Sequence, residues 1–198
     1  MEQGRLERQL AFLTQIDRMK NVFRQTRIAD ASRYENDAEH SWHLTVCASV
    51  LAEYAPPGTD TARALLMTAV HDLVEIYAGD TYAYDAPGNA TKEARERAAA
   101  DRLYAQLPAE QGAYYRALWE EFDRMETADA RWANVCDRLQ PLLLNLSDPE
   151  GRSWREHGAR RSWVERRTEI IGEVSPALGD WVAARLDEAV ARGSLRGD

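Results

Sequence analysis

Histidine and acidic side chains lie within one helical turn of each other in the segment AVHDLVE, residues 69–75. The apolar run before this segment predicts a central helix, and Glu75 follows His71 by four residues and Asp72 by three, so the three share a face. Burying three ionisable groups together is unfavourable unless a partner such as a divalent cation compensates for it. The alternative is a solvated stripe on a surface helix, and this segment on its own favours that alternative because such stripes are common.

Two other segments place polar side chains next to apolar neighbours. His40 follows a polar loop and begins a predicted helix, and His43, one turn later, is interpreted as a surface or packing histidine. Asp137 lies in the apolar stretch ANVCDRL, residues 133–139. A buried aspartate needs a metal, an arginine or helix-start amides as a partner. The adjacent Arg138 is predicted to point about a quarter-turn away and is the weaker explanation.

These segments together supply two imidazoles and two carboxylates, from His40, His71, Asp72 and Asp137. Such a set suits one divalent metal ion, for example Mn²⁺, Co²⁺, Fe²⁺ or Zn²⁺, with positions left for water and substrate. A closed structural zinc site would more often use thiolates. The sequence contains no CxxC, HExxH, GxxxxGK(S/T) or GxGxxG motif, which excludes zinc fingers, zincins and glycine-rich nucleotide loops.

Helical spacing of apolar residues extends over almost the whole chain, and no alternation typical of strands is present. We therefore predict an all-α fold, a compact helical bundle. The predicted helices cover about residues 6–16, 40–54, 61–77, 91–106, 110–124, 128–146 with a kink at Pro141, 162–173 and 177–192. Irregular stretches are predicted at residues 25–37, 79–90 and 147–158, and such loops are where binding residues concentrate.

Composition limits the class of partner. The 198 residues carry 44% hydrophobic and 29% charged side chains, which predicts one globular domain over residues 1–198, with its core at about 13–167 and C-terminal helices at 168–192 packed on it. The net charge of -8 argues against binding to a nucleic acid polymer, but leaves room for a small phosphate ester.

Cysteine usage and the chain's apolar runs bear on the compartment. The two cysteines, Cys47 and Cys136, are typical of reduced core residues in a cytosolic protein. No segment resembles a secretory signal or the ~20 apolar residues of a membrane span. We therefore expect a cytoplasmic protein with no membrane association.

The full set of spacings resembles the HD-domain superfamily of metal-dependent phosphohydrolases. The patterns R-x-E-N-x-x-E-H-S, residues 33–41, and H-D-x-x-E-x-x-x-x-D, residues 71–80, are similar to the small 5′-deoxynucleotidase subgroup, and the likeness extends over about residues 13–167. It implies an HD-type helical domain, a homodimer, and a nucleotide or related small phosphorylated molecule as substrate. It further implies that the four residues named above bind one metal, with Glu75 and Asp80 acting beside it on water and leaving group.

The resemblance also implies arginine ligands for the substrate phosphate. Arg24 lies near the position of the phosphate-contacting arginine in these relatives, while Arg33 aligns with a second arginine and is preferred here, for phosphate binding or loop anchoring. The relatives carry a tryptophan after the first arginine that is tied to sugar recognition. Gln25 takes that position in this chain, which leaves the sugar preference open.

The implied activity is hydrolysis of a phosphoric monoester, as in a 5′-nucleotidase. Glu75 would take the proton of a bound water, or else orient His71; Asp80 would protonate the leaving oxygen, or else cap the next turn. A non-catalytic metal- and nucleotide-binding regulatory module is the alternative. A di-iron oxygenase of the same superfamily is less favoured, since it needs further histidines between Asp72 and Asp137 and this chain has none there.

Overall fold

Helices dominate the computed structural model, which describes residues 4–198, and the predicted all-α fold is confirmed. Tighter 3₁₀ turns at Asp17–Asn21, Ala52–Tyr54 and His71–Val74 connect some of them. The helices in this part of the chain are α1 (Arg5–Ile16), α2 (Asp37–Val50), α3 (Thr61–Val70), α4 (Glu75–Ala78), α5 (Ala86–Tyr104), α6 (Ala109–Arg124), α7 (Ala128–Ser147), α8 (Arg152–Glu156), α9 (Arg161–Val174) and α10 (Pro176–Ala191).

A short antiparallel hairpin lies where the sequence predicts an irregular stretch. Strand β1 (Phe23–Arg27) pairs with β2 (Tyr34–Asn36), and the register shifts between the two ends of β1. The prediction of a chain without strands is wrong here, because strands this short carry too few residues for a detectable alternation. Tertiary contacts stabilise the hairpin: the Arg27 N–H donates to Ser153 Oγ of α8 at 3.0 Å.

The third predicted helix is divided at the His-Asp doublet. Helix α3 ends at Val70, the chain tightens into a 3₁₀ turn over His71–Val74, and α4 continues to Ala78. Gly79 then ends the element with a φ of +74°, a conformation that favours glycine. A short 3₁₀ stretch inside a helical segment changes the direction of side chains relative to a regular α-helix. This turn therefore directs the side chains of His71 and Asp72 toward the core.

Two other boundaries differ from the predicted ones. Helix α5 begins at Ala86 after Asp85, not near Thr91, because Pro87 fits the first helical turn as readily as it fits a loop. Helix α8 lies inside the stretch predicted to be irregular over 147–158. In both cases the irregular stretch is shorter than predicted.

Helix α7 forms the centre of the core and packs against α2, α3 and α9. Its Trp132 is fully buried and donates from Nε1 to the Ala48 carbonyl oxygen of α2 at 3.3 Å. Cys47 and Cys136 are buried and unpaired, as predicted. Helices α9 and α10 share an apolar cluster with α2, α3 and α7. That the whole chain forms one domain stays a prediction.

Within residues 4–198, none of the helices is both long enough and apolar enough to cross a bilayer.

The contact between α9 and α10 depends on two glycines. A Cβ added to Gly179 would lie 2.5 Å from Gly172 Cα, whereas a Cβ added to Gly172 would lie 3.6 Å from Gly179 Cα. The first distance is a clash with backbone, and the second is ordinary van der Waals contact. A side chain is therefore excluded at Gly179 of α10 but tolerated at Gly172 of α9.

We predict opposite effects for two alanine substitutions at this crossing. Gly179→Ala forces the helices apart, and overpacking of this kind costs about 1–3 kcal/mol. Gly172→Ala fits the available space and gains up to about 1 kcal/mol of helix propensity. Thermal denaturation followed by circular dichroism should show a lower midpoint for Gly179→Ala and an unchanged or higher midpoint for Gly172→Ala. Equal midpoints would contradict the crossing geometry.

Candidate functional site

The start of α2 is fixed by reciprocal hydrogen bonds. Asn36 Oδ1 accepts from the Glu39 N–H at 3.0 Å, and the Glu39 carboxylate accepts from the Asn36 N–H at 3.2 Å. This capping box satisfies two of the backbone donors at the helix start. His40 follows in the next residue and is fully buried, as is Asp37 in the first turn. The cap therefore sets the position from which both side chains enter the core.

The four predicted metal ligands converge in one cluster. His40 Nε2 lies 3.1 Å from Asp137 Oδ1 and 3.7 Å from Asp72 Oδ2. His71 Nε2 lies 3.1 Å from Asp72 Oδ2 and 3.6 Å from Asp137 Oδ1. The two imidazole centroids are 5.5 Å apart. Residues separated by up to 97 positions thus bring two nitrogens and two carboxylates to one point.

The second ring nitrogen of each histidine shows where its proton lies. His40 Nδ1 is 2.7 Å from Gln140 Oε1, and the Gln140 amide nitrogen donates to Glu35 Oε1 at 2.7 Å. The glutamine oxygen must therefore accept from His40. His71 Nδ1 is 3.0 Å from the Thr68 carbonyl oxygen, which can only accept. Both Nδ1 atoms carry protons, and both Nε2 atoms point at the carboxylates.

A divalent cation fits this arrangement. His71 Nε2 is buried and makes no hydrogen bond, because the nearby Asp72 oxygen is not aligned for one. A neutral imidazole with its proton on Nδ1 presents a lone pair at Nε2, and a lone pair facing a carboxylate is repelled. One cation accepts electron pairs from both imidazoles and both carboxylates, which removes the repulsion. The residues present therefore suit a metal in chemistry as well as in position.

The charge of the cluster leads to the same conclusion. Burial alone lowers the pKa of His71, but the Asp72 and Asp137 carboxylates raise it to about 10. Burial, together with the negative charge of Asp72, raises the pKa of Asp37 to about 7. Burial also raises the pKa of Glu35 to about 7. All three groups are thus shifted toward their protonated forms, the two carboxyl groups chiefly by burial, and a bound cation would oppose that shift.

Glu75 and Asp80 lie beside the cluster, and both line the adjoining cavity. Glu75 begins α4, is buried, and has one carboxylate oxygen, Oε2, without a hydrogen-bond partner. Burial and the neighbouring carboxylates raise the pKa of Glu75 well above its usual range, and burial raises that of Asp80. Arg95 holds the segment around Asp80, donating to the Ala78 carbonyl oxygen at 2.6 Å and to Thr81 Oγ1 at 2.7 Å.

The two predicted phosphate ligands differ in placement. Arg24 on β1 is largely buried in the cavity wall, with Nη1 3.0 Å from Asp72 Oδ2 and 3.5 Å from Asp37 Oδ1. Arg33 is half exposed, and its guanidinium bonds to the Glu39 carboxylate at 2.6 and 2.8 Å. The preference for Arg33 as the phosphate ligand is therefore not supported, because that side chain is not in the cavity wall. Its contact with Glu39 matches the anchoring role.

Arg138 contacts Asp137, contrary to the sequence-based expectation that it points away. Its Nη1 donates to Asp137 Oδ2 at 2.6 Å, and Arg167 Nη2 of α9 lies 3.4 Å from the same oxygen. The long arginine side chain folds back along the helix, which the helical angle between the two Cα atoms does not reveal. Asp137 thus turns Oδ1 to the imidazoles and Oδ2 to the guanidinium groups.

A cavity of roughly 180 Å³ opens beside the cluster. Metal-cluster residues and Arg24 line one part of its wall, while aromatic and basic side chains line another. The second group comprises Tyr82, Tyr84, Lys92, Phe122, Trp154 and Arg167. Tyr82 packs edge-on against Tyr84 with centroids 5.2 Å apart. The two groups also contact each other, since the Phe122 ring lies 4.7 Å from that of His71.

Three site residues escaped the sequence analysis. Gln140 is fully buried and lies three residues after Asp137, on the same face of α7. Its polar side chain in an otherwise apolar helix was the sequence feature that could have identified it. Asp37 and Glu35 flank the capping residue, and acidic side chains at a helix start are ordinary. The carboxylate oxygens of Asp37, Glu75 and Asp80 lie within 4.8 Å of one another.

Comparison with known sequences identifies the family. Residues 16–179 match the HD domain family, which covers most of the chain and contains all four converging residues. This chain belongs to the HD domain family. The predicted superfamily is thereby confirmed.

Individual relatives of this HD domain differ in similarity. A structure described as a predicted metal-dependent phosphohydrolase from Magnetospirillum magnetotacticum MS-1 has a TM-score of 0.92 at 48% identity, with 97% of this chain and 96% of the other covered. The 5′-deoxynucleotidase HDDC2 of Xenopus laevis is 28% identical over 71% of this chain and 69% of its own length. The human HDDC2 is 25% identical, over 68% of this chain and 65% of its own length.

We predict that Gln140→Leu weakens metal binding by this HD domain about 10- to 100-fold, as loss of an orienting partner does at other sites. Leucine cannot accept the His40 Nδ1 proton, so the ring loses its fixed orientation and tautomer. Competition between protein and a chromophoric chelator for Co²⁺ measures the affinity. Gln106→Leu, whose side chain bonds to Tyr77 and not to the cluster, serves as the control and should bind as wild type does. Equal affinities of the Gln140 variant and wild type would contradict the proposed hydrogen-bond relay.

Proposed function

We propose that this chain is a divalent-metal-dependent phosphohydrolase that cleaves the phosphate monoester of a nucleotide or related phosphorylated small molecule. The observation that carries the proposal is the buried cluster of two imidazoles and two carboxylates beside an open cavity with a buried arginine in its wall. The relatives described as a metal-dependent phosphohydrolase and as 5′-deoxynucleotidases support it. The implied homodimer and cytoplasmic location stay predictions.

The four clustered residues would hold one divalent cation: His40, His71, Asp72 and Asp137. When bound, that cation supplies positive charge at a phosphoryl oxygen and lowers the pKa of a coordinated water. Gln140 and the Thr68 carbonyl oxygen keep the two imidazoles in the tautomer that offers Nε2. Their contribution is to fix ligand orientation before substrate arrives.

Glu75 is the proposed general base. Its free carboxylate oxygen, Oε2, is buried beside the cluster. The positive charge of a bound cation would favour the ionised form of Glu75, which is the form that accepts a proton from water. Asp80 is the proposed proton donor to the leaving oxygen, since its raised pKa favours the protonated form. The two carboxyl groups therefore divide the proton transfers of hydrolysis between them.

Arg24 is the proposed ligand of the scissile phosphate. Its ion pairs with Asp72 and Asp37 hold the guanidinium in the cavity wall, and its planar donors suit phosphoryl oxygens. Tyr82, Tyr84 and Trp154 offer apolar faces for the rest of the substrate. Gln25 also lines the cavity and occupies the place where the deoxynucleotidase relatives carry a tryptophan, so we propose no preference between sugars.

We predict metal-dependent release of phosphate from nucleoside monophosphates, with smaller or no release from sugar phosphates. A panel of nucleoside mono- and triphosphates and sugar phosphates, each with Mn²⁺, Co²⁺ or Zn²⁺, measures it. Glu75→Gln should lower kcat about 10²- to 10⁴-fold while keeping bound metal, since only the proton transfer is removed. Asp72→Ala should lose both metal and activity. The exposed Glu93→Gln serves as the control.

Two outcomes would count against this function. Unchanged turnover in Asp72→Ala would remove the proposed metal cluster from the reaction. A substrate-induced rise in thermal midpoint without turnover, for every compound and metal, would favour the regulatory module instead.

We predict that Arg24→Gln and Arg33→Gln have unequal effects. Loss of a charge-assisted hydrogen bond costs about 1.5–3 kcal/mol, so Arg24→Gln should lower kcat/KM about 10- to 150-fold. Arg33→Gln removes a surface ion pair worth at most about 1 kcal/mol and should change kcat/KM less than about twofold. Steady-state kinetics at saturating metal measures both. A larger loss in Arg33→Gln would restore the interpretation made from sequence alone.

A further inference from the structure

Two arginine side chains from different helices meet at one carboxylate oxygen in the cavity wall. Arg138 of α7 and Arg167 of α9 lie 2.6 and 3.4 Å from Asp137 Oδ2. Within residues 4–198, the further polar contact of Arg138 is one to Met125 Sδ at 3.9 Å. Each guanidinium carries five N–H donors, so one shared oxygen satisfies only a small part of their capacity.

The charge on this side of the cavity is not balanced by Asp137 alone. One carboxylate carries a single negative charge, and its other oxygen faces the imidazoles of the metal cluster. The two guanidinium groups together carry more charge than the one carboxylate oxygen they share, at a concave, partly buried surface that Asp72 and Asp123 also line. Such a surface attracts anions. Arg24 differs, because Asp72, Asp37 and Glu35 surround its guanidinium.

Arg167 also stands at the border between two depressions. The cavity shares Ala83, Tyr84 and Arg167 with an outer groove. Trp163 lines that groove, about a third exposed, with its ring 5.6 Å from Tyr84. The cavity and the outer groove therefore meet at the side of Arg167.

We propose that Arg138 and Arg167 form a second anion subsite, so that the preferred substrate carries a further phosphate group besides the one that is hydrolysed. This proposal rests on the function proposed above. Arg24 takes the scissile phosphate, and the arginine pair takes the second. The chemical class is a nucleotide phosphorylated at two separate positions of its sugar.

The test compares two substrates that differ only in the second phosphate. KM and kcat are measured for adenosine 5′-monophosphate and adenosine 3′,5′-bisphosphate with the metal-loaded wild type, Arg167→Gln and Arg131→Gln. Arg131 is the matched control, since it is equally exposed at 38% and also bridges α7 to α9, through Glu173 at 3.3 Å, but does not line the cavity. Arg167→Lys is a second variant that keeps the charge and loses the planar donors.

We expect the wild type to have a KM for the bisphosphate about tenfold below that for the monophosphate. Arg167→Gln should raise the bisphosphate KM at least five times more than the monophosphate KM, with kcat for the two substrates changed alike. Arg167→Lys should fall between wild type and Arg167→Gln, and Arg131→Gln should match the wild type. These ratios correspond to the loss of one charge-assisted hydrogen bond.

Three results would overturn the subsite. One is a wild-type KM for the bisphosphate equal to or above that for the monophosphate. Another is an equal loss for both substrates in Arg167→Gln, which would place Arg167 on the scissile phosphate. The third is equal binding of the two compounds, measured by calorimetry. This measurement is needed if neither compound is hydrolysed, because the proposed function then fails while the subsite can still be tested. Tighter binding of the bisphosphate that Arg167→Gln removes supports it, and equal affinities exclude it.

Discussion

The Nε2 atoms of two buried histidines face two buried aspartate carboxylates, and the rest of the site depends on the electrostatic repulsion between them. His40 and His71 each use Nδ1 as a donor, to Gln140 and to the Thr68 carbonyl, so Nε2 is the ring nitrogen that faces the aspartates, and a neutral ring presents a lone pair there. Water can reach the cluster from the cavity but supplies no net positive charge, and hydrophobic packing gives no compensation. Positive charge at the centre is the remaining solution. The surrounding features, from the capping box before α2 to the 3₁₀ turn after α3, hold the four groups where that charge is required.

Helix α7 shows how one apolar element can carry a chemical site. Its buried face is largely hydrophobic, yet Asn134, Asp137 and Gln140 recur at intervals of three and lie on one side of the helix. Each has its own partner: the Asn134 amide donates to the Phe122 carbonyl oxygen at 2.7 Å, while the other two contact the imidazole of His40. Since no buried polar group on this stripe is left alone, the helix can remain at the centre of the core.

Sequence alone was sufficient for the parts of this protein that follow from periodicity and from polar residues in apolar surroundings. The helices and the convergence of the four ligands belong to that class. The hairpin does not, because β1 and β2 have five and three residues and gain stability from α7 and α8 rather than from their own pattern. The same hairpin gives Arg24 and Arg33 different surroundings. Strand β1 places the Arg24 guanidinium in the cavity wall, whereas the Arg33 guanidinium binds Glu39 in the first turn of α2. The direction in which a long side chain folds also cannot be predicted from helical spacing, as the contact of Arg138 with Asp137 shows.

The cavity is electrostatically asymmetric, and that asymmetry orients whatever it binds. On one side, Asp37, Glu75 and Asp80 form a carboxyl group cluster that favours protons. On the other side, Arg138 and Arg167 favour anions. A nucleotide whose scissile phosphate lies at the metal cluster and Arg24 has its further anionic group drawn toward the arginine pair. Its proton transfers can take place only where the carboxyl groups lie. A substrate in the reverse orientation would place its anionic part against the carboxylates. The charge distribution therefore selects one orientation before any close contact forms, and it does so without a specific contact to base or sugar.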